Sequence, residues 1–258
     1  MESVWVGRRG GVKTEAIVAA AGVGKRLRAK TRKPYLKILG KPILIHTLQA
    51  VSSSTDINKI IVVVNRLDKE LCCALVKKYK VKKIKAIIAG GRERRDSVRN
   101  GLRLLDKDTD LVLTHDGVRP FIDRQLIKKS VGCAKRFGAC IVGVPVKATI
   151  KKVKTQKAKG KTVEATLDRS NLWEIQTPQV FKKGLILKAY ERFGKIRATD
   201  DSMLVEKLGV KVRAILGSYN NIKITTPEDL VVARVIASER SERSNLKREI
   251  ASALRASQ

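Results

Sequence analysis

Aromatic residues make up only 4% of the chain, histidine occurs twice and cysteine four times. The shortage of aromatics argues against a single-strand nucleic-acid binder, which interleaves stacking side chains with its basic ones. Cys72, Cys73, Cys133 and Cys140 form no CxxC pair, and two histidines do not complete a zinc site around them. The cysteines therefore read as reduced packing residues of a cytosolic protein. No apolar run has the length needed to span a bilayer, and residues 1–15 hold arginines and glycines without the apolar stretch of an export signal. A cytoplasmic location and no membrane partner are the expectation. Acidic side chains are also scarce, 24 against 56 lysines and arginines, for a formal net charge of +32. A field of that sign draws polyanions, nucleoside triphosphates and nucleic acids alike. The cations are spread along the whole chain instead of lying in one block, so those outside the motifs read as a solvated surface, with adventitious polyanion binding left open.

What is present fits one core with a projecting arm, in 258 residues of which 43% are hydrophobic. Short apolar runs at Ala16–Ala20, Ile60–Val64, Ile84–Ala89, Leu111–Thr114 and Ala139–Val144 read as buried strands. Between them, Ile43, Leu44, Thr47, Leu48 and Val51 repeat at helical spacing, as do Leu67, Leu71, Leu75 and Tyr79. This alternation predicts an α/β, three-layer Rossmann-like fold with a mostly parallel sheet and a site at the strands' C-terminal ends. From Pro145 to Ser170 the pattern gives way to lysine-rich, β-branched sequence around a KAKGK turn, too polar for its own core. It reads as a β-arm that lies on a partner subunit. Helices are expected again at Leu185–Phe193 and Met203–Leu208, and strands at Val210–Ile215 and Asn221–Thr225. A last helix starts with Thr226 as N-cap, Pro227 in its first position and Glu228 and Asp229 in its first turn. Past Ser238 the charged run reads as a frayed or solvated extension.

The first strand runs into Ala19-Ala20-Ala21-Gly22-Val23-Gly24-Lys25-Arg26-Leu27, a small-residue turn whose amides can approach an anion. It is no Walker loop, since Ala19 stands where the first glycine belongs and Arg26 where the hydroxyl residue belongs; nor is it a dinucleotide fingerprint, for want of the third glycine. With Lys25, Arg26 and Lys33 close by, it reads as a triphosphate cradle. Asp116 ends a buried strand, where an aspartate before a glycine serves either as a turn former or as a magnesium ligand. Trp173, flanked by Leu172 and Ile175, reads as core instead of a stacking residue.

These blocks, with Lys33-Pro34-Tyr35-Leu36, Gly40-Lys41-Pro42, Gly90-Gly91 followed by Arg94, Ser97 and Val98, and His115-Asp116-Gly117-Val118-Arg119-Pro120, resemble the sugar-nucleotidyltransferase superfamily. More narrowly the chain is similar to the methylerythritol-phosphate cytidylyltransferases. The likeness continues through Pro145-Val146 with Thr149, Asp168-Arg169, Gln176-Thr177-Pro178-Gln179, Thr199-Asp200-Asp201 and Asn221-Ile222-Lys223-Ile224-Thr225. It departs from the family at Pro34, where glutamine is frequent, and at Gly117, where alanine is.

The resemblance implies in-line attack of an acceptor phosphate oxygen on the α-phosphorus of CTP, with Mg2+ as cofactor, pyrophosphate as leaving group and no protein nucleophile. It implies catalytic roles for Arg26, Lys33, Arg169 and Lys223, and nucleotide binding by Ala20, Ala21, Gly22, Gly24, Gly91, Ser97, Asp116 and Gly117, with Asp116 also on the metal. Arg119, Thr149, Arg169, Thr177 and Lys223 are the implied grip on a phosphorylated polyol, and His115 is structural. Arg94 reads equally as a contact near the base and as a helix-surface charge. A homodimer through the β-arm follows, Arg169 completing the neighbour's site. The corresponding division is an N-terminal extension, 1–14, a cytidylyltransferase domain, 15–238, with the arm at 145–170, and a basic C-terminal extension, 239–258. Two other readings stand beside this one, a ribitol 5-phosphate cytidylyltransferase and, from a different class, a nonspecific nucleic-acid-binding protein.

Overall fold

The computed structural model describes residues 11–22, 32–156 and 160–256, with side chains given up to residue 242 except at 155, 156 and 160. The first strand, β1 (Thr14–Ala20), shows how the sequence builds a three-layer body. Its side chains alternate, so Ala16, Val18 and Ala20 enter one core and Ile17 another. The next full strand, β4 (Lys59–Val64), repeats the pattern, with Ile60, Val62 and Val64 on the first face and Ile61 and Val63 on the second. Both faces of the sheet are thus covered, which is why these strands are continuous apolar runs.

Between β1 and β4 lie the two-residue strands β2 (Lys37–Ile38) and β3 (Lys41–Pro42), paired with each other, and helix α1 (Ile43–Ser52). The chain continues through α2 (Lys69–Lys78), β5 (Ile84–Ala89), α3 (Arg94–Leu102), β6 (Leu111–Asp116), α4 (Arg124–Phe137) and β7 (Ala139–Pro145). An antiparallel hairpin of β8 (Ile150–Gln156) and β9 (Gly160–Leu167) follows, then β10 (Trp173–Lys182), α5 (Lys183–Phe193), α6 (Ser202–Glu206), β11 (Arg213–Leu216) and α7 (Pro227–Ala256). The seven-stranded sheet has the order β11-β7-β10-β6-β1-β4-β5, parallel throughout except for β10. Helices α1, α2 and α4 cover one face, α3, α5 and α6 the other. Each large side chain sealed between these layers contributes about 1.5–3 kcal/mol from burial.

The expected α/β architecture is present, with four differences in detail. In the segment after β4 the buried stripe is Cys72, Leu75, Val76 and Tyr79, while Leu67 is 79% and Leu71 47% exposed. The cause is a 3-10 turn at Arg66–Asp68, in which the Asn65 side chain accepts the Leu67 N–H at 3.1 Å and takes Leu67 out of helical register. Asn221–Thr225 is irregular instead of a strand. Its polar groups are spent elsewhere, the Asn221 amide donating to Gln176 Oε1 and to the Thr177 carbonyl, and Arg119 donating to the Asn221 carbonyl. β10, which inserts antiparallel between β6 and β7, has no counterpart among the predicted strands. The polar run Gln176-Thr177-Pro178-Gln179 in its middle hides it, and Trp173 is 37% exposed on the sheet instead of lying in the core.

The last helix starts as its sequence predicts. The Asp229 carboxylate accepts the N–H groups of Thr225 and Thr226, and the Asp229 N–H reaches back to the Thr226 hydroxyl. Its backbone remains helical from Pro227 through Ala256, so the charged C-terminal run continues the helix. The first turns pack Ala233, Ile236 and Ala237 against Ile38, Ile43, Val118 and Phe121, tying α7 to the strand-end side of the body.

Candidate active site

Two cavities open at the C-terminal ends of the parallel strands, where an open α/β sheet places ligands. The first, of about 220 Å³, lies between the end of β1 (Ala19 to Gly22), the β5–α3 turn (Gly91 to Arg94) and the end of β6 (Asp116, Val118), with Lys33, Pro34, Ser97 and Lys223 on its walls. The second, of about 460 Å³, is lined by Arg119, Glu174, Gln176, Tyr219, Lys223 and Asp229 among others. Lys223 belongs to both.

Close backbone approach shapes the first cavity. A Cβ on Gly90 would stand 2.4 Å from the Ala21 Cβ and 2.6 Å from the Ser97 hydroxyl, so only glycine lets the β5–α3 turn close against the end of β1. The same holds at Gly117, where a Cβ would meet that of Ala20 at 2.7 Å. The Ser97 hydroxyl accepts the Gly91 N–H and donates to the Glu93 carbonyl, both at 3.2 Å, and Asp96 accepts the Glu93 N–H at 3.0 Å. Lys33 is placed by a 3-10 turn, Lys33–Tyr35, whose Pro34 and Tyr35 are buried and whose preceding residue, Arg32, pairs with Asp68.

At the centre is Asp116, 5% exposed. Its Oδ1 accepts the Arg94 Nε–H at 2.9 Å, and its Oδ2 lies 2.8 Å from Lys223 Nζ and 3.6 Å from Arg119 Nε. Burial alone would raise its pKa, but Arg94, Lys223 and Arg119 together hold the carboxyl well below the usual range. Arg94 spans two acids, because its Nη1 also bonds Asp201 Oδ2 at 2.9 Å, and Asp201 Oδ1 accepts the Tyr190 hydroxyl at 2.6 Å. Two carboxylates thus face three cations. The surplus is positive, and it borders both cavities.

The neighbouring histidine is fixed in one tautomer. His115 Nε2 faces the Arg119 carbonyl at 3.1 Å and so must carry the proton; Nδ1, 3.0 Å from the Thr177 hydroxyl, accepts from it. The Thr177 oxygen in turn accepts the Asp116 N–H at 3.1 Å. Burial pushes the His115 imidazole down to about 4. It is neutral and spent on structure.

Of the residues implied by resemblance, Ala20, Ala21, Gly22, Lys33, Gly91, Ser97, Asp116 and Lys223 line the first cavity, and Arg119 lines the second with Lys223. Gly117 sits behind Ala20, and Thr177 supports Asp116 from beneath. Gly24 and Arg26 lie outside the described residues. Thr149 and Arg169 are exposed at the base of the hairpin and line neither cavity; Arg169 donates to the Lys147 carbonyl. Arg92, Glu93 and the Arg94–Asp201 bridge are site features that the sequence reading did not assign. Arg94 and Asp201 are 107 positions apart, and no local pattern joins them.

The model of the family described as 2-C-methyl-D-erythritol 4-phosphate cytidylyltransferase (IspD) matches residues 14–239. The chain belongs to that family. The enzyme of this family from Alkaliphilus metalliredigens is 46% identical over 234 residues, covering 89% of this chain and 95% of the relative. That from Clostridioides difficile is 43% identical, covering 91% and 98%. Among solved structures, 4-diphosphocytidyl-2C-methyl-D-erythritol synthase from Anaerococcus prevotii superposes with a TM-score of 0.77 at 35% identity, over 88% of this chain and 96% of its own. The methylerythritol-phosphate cytidylyltransferase from Thermus thermophilus does so at 0.69 and 28% identity, over 88% of this chain and 100% of its own.

The buried histidine of this cytidylyltransferase generates a stability prediction. The unfolded chain binds a proton near 6.5, the folded one only near 4, so the stability held by neutral His115 is complete above pH 6.5 and drains away as pH falls to 4. His115→Gln is expected to be less stable at pH 7.5, yet to lose stability less steeply between pH 6.5 and 4.5, by about 1.4 kcal/mol per pH unit, the slope of one proton. Denaturant unfolding across that range measures it. Parallel profiles for the two proteins would remove His115 from the account.

Proposed function

We propose that this protein transfers CMP from CTP to 2-C-methyl-D-erythritol 4-phosphate, releasing pyrophosphate, with the first cavity holding the nucleotide and the second the acceptor. The observation that carries this division is Lys223, a single cation on the wall common to both cavities and 2.8 Å from Asp116. The family membership assigns the activity to CTP-dependent cytidylyl transfer in isoprenoid precursor synthesis and favours methylerythritol phosphate over ribitol phosphate as acceptor.

In the reaction, an oxygen of the acceptor phosphate forms a bond to the α-phosphorus while the bond from that phosphorus to the bridging oxygen breaks, its electron pair leaving with pyrophosphate. The attacking oxygen is already ionised, so no general base is required, in keeping with a His115 that is neutral and internally bonded. Catalysis is then charge neutralisation and alignment. Lys33 and Arg26 act on the phosphates from the cradle side. Lys223 bridges nucleotide and acceptor, and Arg119 receives the acceptor phosphate. Gly91 and Ser97 face the cytosine.

Among the described residues no cluster of three metal-binding side chains exists, so a hard divalent cation fits here only if substrate phosphates supply most of its oxygens. Asp116 is the ionised carboxylate at the cavity that would meet it, in exchange for Lys223, which now holds its Oδ2. Magnesium bound there would add positive charge to the triphosphate. No described helix is long and apolar enough to cross a membrane, and we place the enzyme in the cytoplasm.

We propose that the arm lies on a second copy of this chain. Among the described residues β8 and β9 pair only with each other, and Val153, Val163 and Leu167 are exposed on them, a poor state for an isolated hairpin in water. Thr149 and Arg169 at its base serve the neighbour's acceptor cavity.

A pyrophosphate-release assay with each nucleoside triphosphate crossed against methylerythritol and ribitol phosphates tests the reaction. Turnover is expected with CTP and methylerythritol phosphate and is lost in excess chelator; preference for another nucleotide or for ribitol phosphate contradicts the reading. The arm is tested by mixing Arg26→Ala and Arg169→Ala proteins under subunit exchange. Each alone is expected to fall by about two to four orders of magnitude in turnover. Random exchange makes about half the dimers mixed, each with one intact site, so roughly a quarter of all sites recover. Demonstrated exchange without recovery places Arg169 in its own chain's chemistry or outside it.

A further inference from the structure

The second cavity carries a carboxylate that none of the roles above uses. Along β10, Glu174 and Gln176 line this cavity, while Trp173 and Ile175 come within 3.2 Å and 3.0 Å of the position a Cβ would take on Gly143. Most other polar groups of the cavity are committed. Gln176 donates to the Ser218 carbonyl and accepts from the Asn221 amide; the Tyr219 hydroxyl bonds the Pro145 carbonyl; Asp229 is taken up by Thr225 and Thr226 at the start of α7. What remains is the cationic side, Lys223 and Arg119, both drawn to Asp116 yet with donors to spare, the buried Arg119 Nε–H having no hydrogen-bond partner, and the exposed Glu174 carboxylate, which has no hydrogen bond among the described residues.

The chemistry of that remainder is asymmetric. A guanidinium and an ammonium donate hydrogen bonds and cannot accept them, so they suit a phosphate and leave hydroxyl protons unmet. An ionised carboxylate only accepts, and it repels phosphate oxygens. We infer that Glu174 is a specificity-determining residue, accepting hydrogen bonds from the hydroxyl groups of the polyol while its charge disfavours bare phosphates between Arg119 and Lys223. This deepens the acceptor assignment proposed above and rests on it. A cavity with the two cations alone would hold inorganic phosphate or the pyrophosphate product about as readily as the substrate; the carboxylate makes the hydroxylated chain part of the recognition, by attraction to one ligand and repulsion of the other.

The test is steady-state kinetics on the full-length protein with methylerythritol phosphate and CTP varied separately, for wild type, Glu174→Gln and Glu174→Ala, with inorganic phosphate as competing anion. Glu174→Ala is expected to raise the acceptor KM by roughly tenfold or more, the usual loss for a hydrogen bond to a charged group, with CTP KM unchanged. Glu174→Gln, which keeps an acceptor oxygen but no charge, should fall between. In both variants phosphate should inhibit severalfold more strongly than in wild type. Since Glu174 is exposed, both variants are expected to fold, and their thermal unfolding verifies it. An acceptor KM that is unchanged or lower in Glu174→Ala overturns the inference. So does a joint rise in both KM values with loss of the dimer, which would make Glu174 a subunit contact. Wild type without turnover of methylerythritol phosphate would instead overturn the acceptor assignment itself, so the two failures are told apart.

Discussion

One buried carboxylate organises the strand ends of this protein. Asp116 is almost closed to solvent, and an isolated carboxylate there would take up a proton sooner than stay charged. Arg94 from the start of α3, Arg119 from the β6–α4 turn and Lys223 from the loop before α7 converge on it, and each brings its own segment along. The pairing therefore does more than neutralise a charge. It joins the β5–α3 turn, the strand end and the cavity wall at one point. Buried pairs of this kind gain little over well-packed apolar groups, but removal of one partner is costly, so the cluster specifies an arrangement more than it adds stability.

The excess of cations in that cluster gives the high overall charge a local meaning. Lys33, Arg94, Arg119 and Lys223 border cavities whose proposed occupants are a triphosphate and a sugar-like phosphate. The remaining lysines are spread over strands, turns, helices and the hairpin, and nothing in the described structure gives them a common partner class. The charge of the whole chain and the charge of the site are separate matters.

How much could be read in the sequence depended on how local the cause was. The inner parallel strands β1, β4, β6 and β7 were legible because both faces are buried and each is an apolar run of its own. The cap of α7 was legible because Thr226, Pro227 and Asp229 act within one turn. Leu67 misled because its spacing matched a helix that starts only at Lys69, after a 3-10 turn that no periodicity reveals. β10 was missed because Gln176, Thr177, Pro178 and Gln179 interrupt its apolar pattern and it pairs with strands far away in sequence. In the site, the small-residue cradle, Asp116 and Lys223 came from motif order, whereas the Arg94–Asp201 bridge and the Glu174 carboxylate came only from the folded chain. Arg94 is a charge at the first position of a helix, as compatible with solvent as with an ion pair until the other end of the pair is seen.

The central claim is that Asp116 and its cations form one interacting unit in the ligand-free protein. A double-mutant cycle on stability measures this most directly, using denaturant unfolding of wild type, Asp116→Asn, Arg94→Met and the double variant at pH 7.5. The account predicts a coupling of about 1–3 kcal/mol, with the double variant much less destabilised than the sum of the single ones. Additivity within about 0.5 kcal/mol would mean that Asp116 and Arg94 act independently, and the arrangement described here would lose its organising interaction.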